Sequence, residues 1–333
     1  MQVAMTYSLL VAANVATWIC AALAFGQHPA LWSLAGLAYL FGLRHAFDAD
    51  HIAAIDNVVR KLMQQGRSAS AVGLYFSLGH STVVILACVG IAASTSSLQR
   101  QLEGLHEIGA VIGTAVSALF LITIGLINLF VLRRIWSTFR RVHRGEPIVN
   151  EDPGSTSTPG GPLGRLLRPL LRLVSRSWHM YPVGLLFGLG FDTATEVGLL
   201  GIAAQSSMQG VPMASVLILP ALFTAAMSLM DTTDSTLMAR AYGWALIHPL
   251  RKLWYNLTIT AASVLVALCI GGVEALALVA ERLGLQGAFW RIVDGLNDDL
   301  SRLGYLVVGI FLASWLFSIA VYRMKRFDKI AAD

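Results

Sequence analysis

The run Arg44-His45-Ala46-Phe47-Asp48-Ala49-Asp50-His51 puts two imidazoles and two carboxylates within seven residues. Three further stretches carry similar groups: His80, Ser81 and Thr82; Asp192, Thr193, Thr195 and Glu196; Asp231, Thr232, Thr233 and Asp234. With Asp56, they hold seven carboxylates and three imidazoles against one arginine, Arg44. Such an excess of negative charge calls for a cation. Imidazole and carboxylate donors without thiolate suit a borderline divalent ion such as Ni, Co or Zn, whereas Ca or Mg would be held by oxygen alone.

Spacing narrows the geometry. His45, Asp48 and His51 are successive i, i+3 neighbours and can lean toward one side of a helix bundle. Asp50 lies about 140° around an ideal helix from His45. It joins the ligands only if the helix is broken there; otherwise it orients a ligating imidazole. Asp192 and Glu196 (i, i+4) share a helix face, as do Asp231 and Asp234 (i, i+3). Glycines at 42, 79, 188 and 190 precede these clusters and permit close helix approach or local unwinding.

The clusters are set in apolar sequence. Of the 333 residues, 56% are apolar and 13% charged, against about 25% charged in a soluble domain; the mean hydropathy is +0.67. Too little polar surface is left to coat a water-soluble globule. A disordered chain, a coiled coil and a disulfide scaffold are excluded as well. Cys20, Cys88 and Cys269 each stand alone in an apolar stretch and read as core residues. The chain reads as an all-α, multi-pass membrane protein, one domain over 1–333. A crossing takes about 20 apolar residues, giving eight spans near 6–25, 31–56, 71–93, 109–132, 181–205, 213–238, 256–278 and 303–322. Ala22-Leu23-Ala24 imitates a signal-cleavage site, but no basic residue precedes the first apolar run and the run is long, so it reads as a retained helix.

Eight spans put both termini on one side. With that side cytoplasmic, 19 of the 24 Lys and Arg residues fall inside, four outside (Arg100, Arg282, Arg291, Arg302) and one, Arg44, within a span, as the positive-inside rule requires. The basic character thereby serves anionic lipid and implies no nucleic-acid partner. The long connection 133–180 has basic flanks and a flexible Pro/Gly/Ser/Thr-rich centre over 145–162; Arg165–Arg176 reads either as an amphipathic piece on the inner leaflet or as a solvated loop. The segment 281–302, with Trp290, reads as a surface helix on the outer side.

Ionisable groups inside a membrane are costly and imply function, but not all carry equal weight. His80, alone on its span, suits a helix–helix hydrogen bond as well as ligation. Asp56 and Asp234 lie near inner span ends, where solvation would suffice, and Glu274 reads as snorkelling from the outer end of the seventh span. Phe47-Asp48 and Phe191-Asp192 each follow a glycine-containing apolar run, and their spans run in opposite directions. That fits spans 2–4 and 5–7 as inverted repeats with the site between them.

The run Arg44–Ile52 resembles the hallmark of the nickel/cobalt transporter family, whose core is His-x4-Asp-His, here His45, Asp50 and His51. Three more of that family's signatures follow in order: Gly79–Val84, Leu189–Glu196 and Asp231–Asp234. The last usually opens with Gly-Met, where this chain has Ala226-Met227. The resemblance implies an eight-helix permease of a bacterial-type inner membrane with cytoplasmic termini, taking up Ni(II) or Co(II) for metalloenzymes. It makes His45, Asp50 and His51 central to recognition, with His80, Asp192, Glu196, Asp231 and Asp234 contributing; Asp48 joins this metal set from its spacing. No prosthetic group and no obligatory protein partner is expected: the divalent ion is the cargo and lipid the surroundings. A related exporter is the nearest rival, though exporters often carry a His-rich cytoplasmic loop and 133–180 has only His143 and His179. An intramembrane metalloenzyme would show His-Glu-x-x-His or a nucleophile motif, and neither occurs.

Overall fold

The computed structural model describes residues 2–26, 29–93, 96–144, 174–190, 194–245, 249–299, 302–311 and 313–314. Among these residues every regular element is helical: α1 (Gln2–Phe25), α2 (Pro29–His45), α3 (Ala49–Gln64), α4 (Val72–Ala93), α5 (Ser96–His143), α6 (Met180–Phe187), α7 (Ala194–Met208), α8 (Met213–Val216), α9 (Ile218–Ala245), α10 (Pro249–Leu283) and α11 (Ala288–Asp298), then α12 (Arg302–Phe311). Five stretches are long and apolar enough to cross a membrane: Val3–Phe25, Val72–Ala92, Ile108–Arg141, Met213–Gly243 and Asn256–Leu283. The loop centre 145–162, most of the amphipathic stretch after it and the later part of the expected last span fall outside the described residues.

The expected second and fifth spans are not single helices. The former is divided between α2 and α3 by a turn at Ala46–Asp48, the latter between α6 and α7 by a bend that begins at Gly188. The packing has a regular exchange. α2 lies on α9 while α6 lies on α4; α3 touches α9 while α7 touches α4; α4 meets α9, and α5 runs against α10. Glycine makes the two half-helix contacts close. A Cβ on Gly42 would collide with the Phe223 backbone, and one on Gly184 with the Phe76 backbone.

The centre of the bundle is α3, which is polar in sequence yet has 13 of its 16 residues buried. Its C-terminal half is held by a hydrogen-bonded ladder. Asp56 accepts from Tyr242 Oη (2.7 Å) and Ser263 Oγ (2.5 Å). Arg60 donates to Thr260 Oγ1 and Asn57 Oδ1, both at 3.1 Å, and Asn128 Nδ2 donates to the same Asn57 oxygen. Asp56 is therefore an interior group, not the solvated span-end residue its position allowed, and Arg60 is buried with it. Each ladder member bonds another helix, which is how a polar rod is tolerated in an apolar bundle.

Outward, the bundle is greasy. α1 exposes Leu9, Ile19 and Leu23, as a lipid-facing helix should. The expected surface segment forms α11, which leaves Phe289 and Ile292 about 60% exposed (58% and 63%) on one flank, an apolar face suited to the interfacial plane.

Replacing Gly42 or Gly184 by Val forces α2 from α9 or α6 from α4; overpacking of this kind should lower the unfolding midpoint in detergent by roughly 5–10 °C. Gly201→Val, at a site with open space around it, should leave the midpoint near wild type in the same thermal-shift assay.

Candidate metal centre

The turn after α2 builds the site. The N–H of Phe47 bonds Arg44 O at 3.0 Å and that of Asp48 bonds His45 O at 2.9 Å; helical pairing then resumes with Ile52 N–H on Asp48 O at 3.2 Å. On a continuous helix His45 and His51, six residues apart, would point roughly 120° apart. The turn brings their ring centroids to 4.5 Å, edge to face.

His80, from α4, completes a cluster: each of His45, His51 and His80 offers a ring nitrogen, and these lie within 4.8 Å of one another. His45 Nε2 and His80 Nε2 are 2.9 Å apart, which is about the separation of two nitrogens bound at right angles, 2.0–2.1 Å from one ion. Glu196 Oε1, from the first turn of α7, sits 2.8 Å from His80 Nε2 and 3.8 Å from His45 Nε2. Asp48 Oδ2 lies 2.7 Å from His45 Nδ1, with Thr195 Oγ1 3.2 Å from the same nitrogen. A carboxylate on one ring nitrogen with the other directed inward is how proteins orient a metal-binding imidazole. Asp231 Oδ2 approaches His51 Nδ1 at 3.7 Å.

All three histidines, Asp48, Glu196 and Asp231 are at most 2% exposed. Among the described residues, neither ring nitrogen of His51, neither carboxylate oxygen of Asp231, nor Nδ1 of His80 makes a hydrogen bond. Buried polar atoms are otherwise nearly always paired, so this donor set is what an incoming cation would satisfy. Two phenylalanines wall it: Phe223 lies 5.5 Å from the His45 ring and Phe76 4.7 Å from that of His51. They fix the imidazoles and thin out competing water.

The structure thus brings together His45, Asp48, His51, His80, Glu196 and Asp231. Asp50 lines an adjoining small cavity with His45 and His80. Asp234, one turn along α9 and only partly buried, pairs with no imidazole among the described residues. Asp192 lies outside those residues. His80 bonds Glu196 and faces His45, joining the span-bridging and site readings of that residue.

Two features were not foreseen. Thr195, noted only as part of a polar stretch, reaches His45. Glu274 does not snorkel: it is 2% exposed, accepts a 2.8 Å hydrogen bond from Ser117 Oγ, and lines the same cavity as His45 and His80. The signal that could have found it is Gly271-Gly272 just before it; Gly271 packs against α5 at Ala118 and Leu121, bringing the next turn close.

Comparison with known proteins agrees with this chemistry. Residues 31–321 match the family described as high-affinity nickel-transport protein (NicO). The chain is 54% identical over 327 residues to the high-affinity nickel transport protein of Cupriavidus necator, covering 98% of this chain and 93% of that one. It is 45% identical to the high-affinity nickel-transport protein NixA of Helicobacter pylori 26695 (93% and 94% covered), and 42% identical to the cobalt transport protein NhlF of Rhodococcus rhodochrous (90% and 86%). No solved structure matches. The resemblance first carried by four short signatures thus extends over almost the whole length, and the chain belongs to the NicO family of nickel-transport proteins.

Proposed function

We propose that this protein is a secondary permease that takes up Ni(II), Co(II) or both across a bacterial-type inner membrane. The observation that carries the reading is the convergence of His45, His51, His80 and Glu196 at two helix breaks inside an apolar bundle. Relatives named for nickel and for cobalt transport support the choice of ion, since both metals accept the same nitrogen and oxygen donors.

The chain makes eight passes with both termini cytoplasmic. The charge distribution supports that orientation, and α2–α3 and α6–α7 each count as one interrupted pass. Residues 29–143 and 180–283 are inverted repeats; the exchange of helix contacts and the matched Gly42–Phe223 and Gly184–Phe76 approaches support this. The metal ligands are His45, His51, His80 and Glu196. Asp231 lies beside them, Asp48 orients His45, and Asp50, Asp192 and Asp234 tune the local charge.

In this mechanism a divalent ion enters from outside, sheds its water and is held by the imidazoles while the repeats rock around it. Protonation of a ligand assists release inward, because metal-binding imidazoles and carboxylates must be deprotonated. Efflux is less well supported: the 133–180 connection lacks the histidines that would gather metal from the cytoplasm.

Cells producing His45→Ala, Asp50→Asn or His51→Ala should insert the protein and accumulate no radiolabelled nickel above background; normal uptake by these variants refutes the site. Ni(II) should suppress labelled Co(II) uptake more strongly than Mn(II), which is the weaker binder at nitrogen donors; equal suppression would contradict an imidazole site. In proteoliposomes, dissipating an inward proton gradient should slow uptake. Indifference to both this gradient and the membrane potential removes the proton step.

A further inference from the structure

The buried carboxylate of Glu274 is not among the metal ligands proposed above. It lies on α10, well inside its membrane-crossing stretch Asn256–Leu283, 2% exposed and accepting from Ser117 Oγ of α5. A carboxylate at such a depth costs several kcal/mol unless it faces polar groups or a cation. Glu274 faces a cavity that it shares with Thr114 and Ser117 and with His45, His80 and Glu196. Among the described residues, no Lys or Arg lines that cavity. His80, itself 2% exposed, also borders it and has an Nδ1 without a hydrogen bond.

The cavity is narrow, about 20 Å³, which is room for a single water-sized sphere. A hexahydrated ion cannot occupy it. An ion passing there must exchange most of its water for lining atoms, and Thr114, Ser117 and Glu274 supply oxygens that nickel and cobalt accept before nitrogen replaces them. In the proposed topology both α5 and α10 place these residues toward the outer half of the membrane.

We propose that Glu274, with the Thr114 and Ser117 hydroxyls, forms an oxygen-donor transit site at which the incoming divalent ion is stripped of water before it reaches the imidazoles. This rests on the uptake reading, and it assigns Glu274 a kinetic role: it lowers the barrier to reaching the histidine site without setting that site's affinity.

The test uses the full-length protein, with initial Ni(II) uptake measured in phosphatidylethanolamine/phosphatidylglycerol proteoliposomes and equilibrium Ni(II) binding measured in detergent. Glu274→Gln should lower uptake at subsaturating Ni(II) by at least roughly tenfold while the equilibrium Kd stays within about threefold. Glu274→Asp, which keeps the charge, should recover part of the rate, and Ser117→Ala should slow uptake with the same unchanged Kd. A Glu274→Gln protein that transports at the wild-type rate, or loses rate and affinity in parallel, overturns the proposal. If that variant does not fold, wild-type uptake by both Glu274→Asp and Ser117→Ala overturns it. His80→Ala separates the two claims: wild-type Ni(II) binding by that variant sinks the imidazole site, whatever Glu274 does.

Discussion

The structure turns on the cost of holding imidazoles and carboxylates in an apolar interior. Each such group needs a partner there, and the partners come from different helices: Asp48 and Thr195 on His45, Glu196 on His80, Asp231 beside His51. These contacts join α2, α3, α4, α7 and α9 at one point. The remaining architecture follows from supplying them. α3 must be central to present His51, and a polar α3 must then be tied along its C-terminal half by the Asp56–Arg60–Asn57 ladder.

The two breaks serve the same end electrostatically. Asp50 occupies the first turn of α3 and Glu196 the first turn of α7, where the positive end of the helix dipole favours carboxylate. His45 closes α2, with Arg44 beside it, and its carbonyl end favours positive charge. A half-helix pair therefore presents an end that steadies acidic side chains next to an end that welcomes a cation, the arrangement found where broken helices form ion sites in transporters. A continuous helix would offer neither end at mid-membrane.

Much of the site was legible because ionisable residues stand out against a 56% apolar background. His45, Asp48, His51 and Glu196 identify themselves by expense. The break could be inferred only conditionally, from Asp50 falling on the wrong side of an ideal helix. Hydropathy alone hid it, since α6 with α7 has the summed length of an ordinary crossing and the apolar run of α2 continues into α3. Glu274 was misread because distance from a span end is a poor guide to depth: what buries it is the close packing of Gly271 on α5, a property of two helices rather than one. The Phe76 and Phe223 walls were equally invisible, as their roles arise from glycines on other helices, Gly184 and Gly42, that let them approach.

The chemistry is divided unequally between the two halves. Matching Gly42–Phe223 to Gly184–Phe76 makes His45 the counterpart of Phe187, each three residues beyond its glycine, and His80 the counterpart of Met227, each four beyond its phenylalanine. His51 and Glu196 are both the third residue of their half-helices. All three imidazoles therefore belong to residues 29–143, and the two carboxylates that approach them from across the interface, Glu196 and Asp231, belong to residues 180–283. Under the rocking reading this division has a direct consequence. Withdrawal of α7 would take Glu196 from an ion while the three imidazoles, none of them on α7, stay in place, so the ion would lose a charge-neutralising partner as access changes sides. A site built symmetrically from both halves would lose donors of each kind together. In such a step the nitrogens would keep their hold while the electrostatic part weakens, which would let binding be selective and release still proceed.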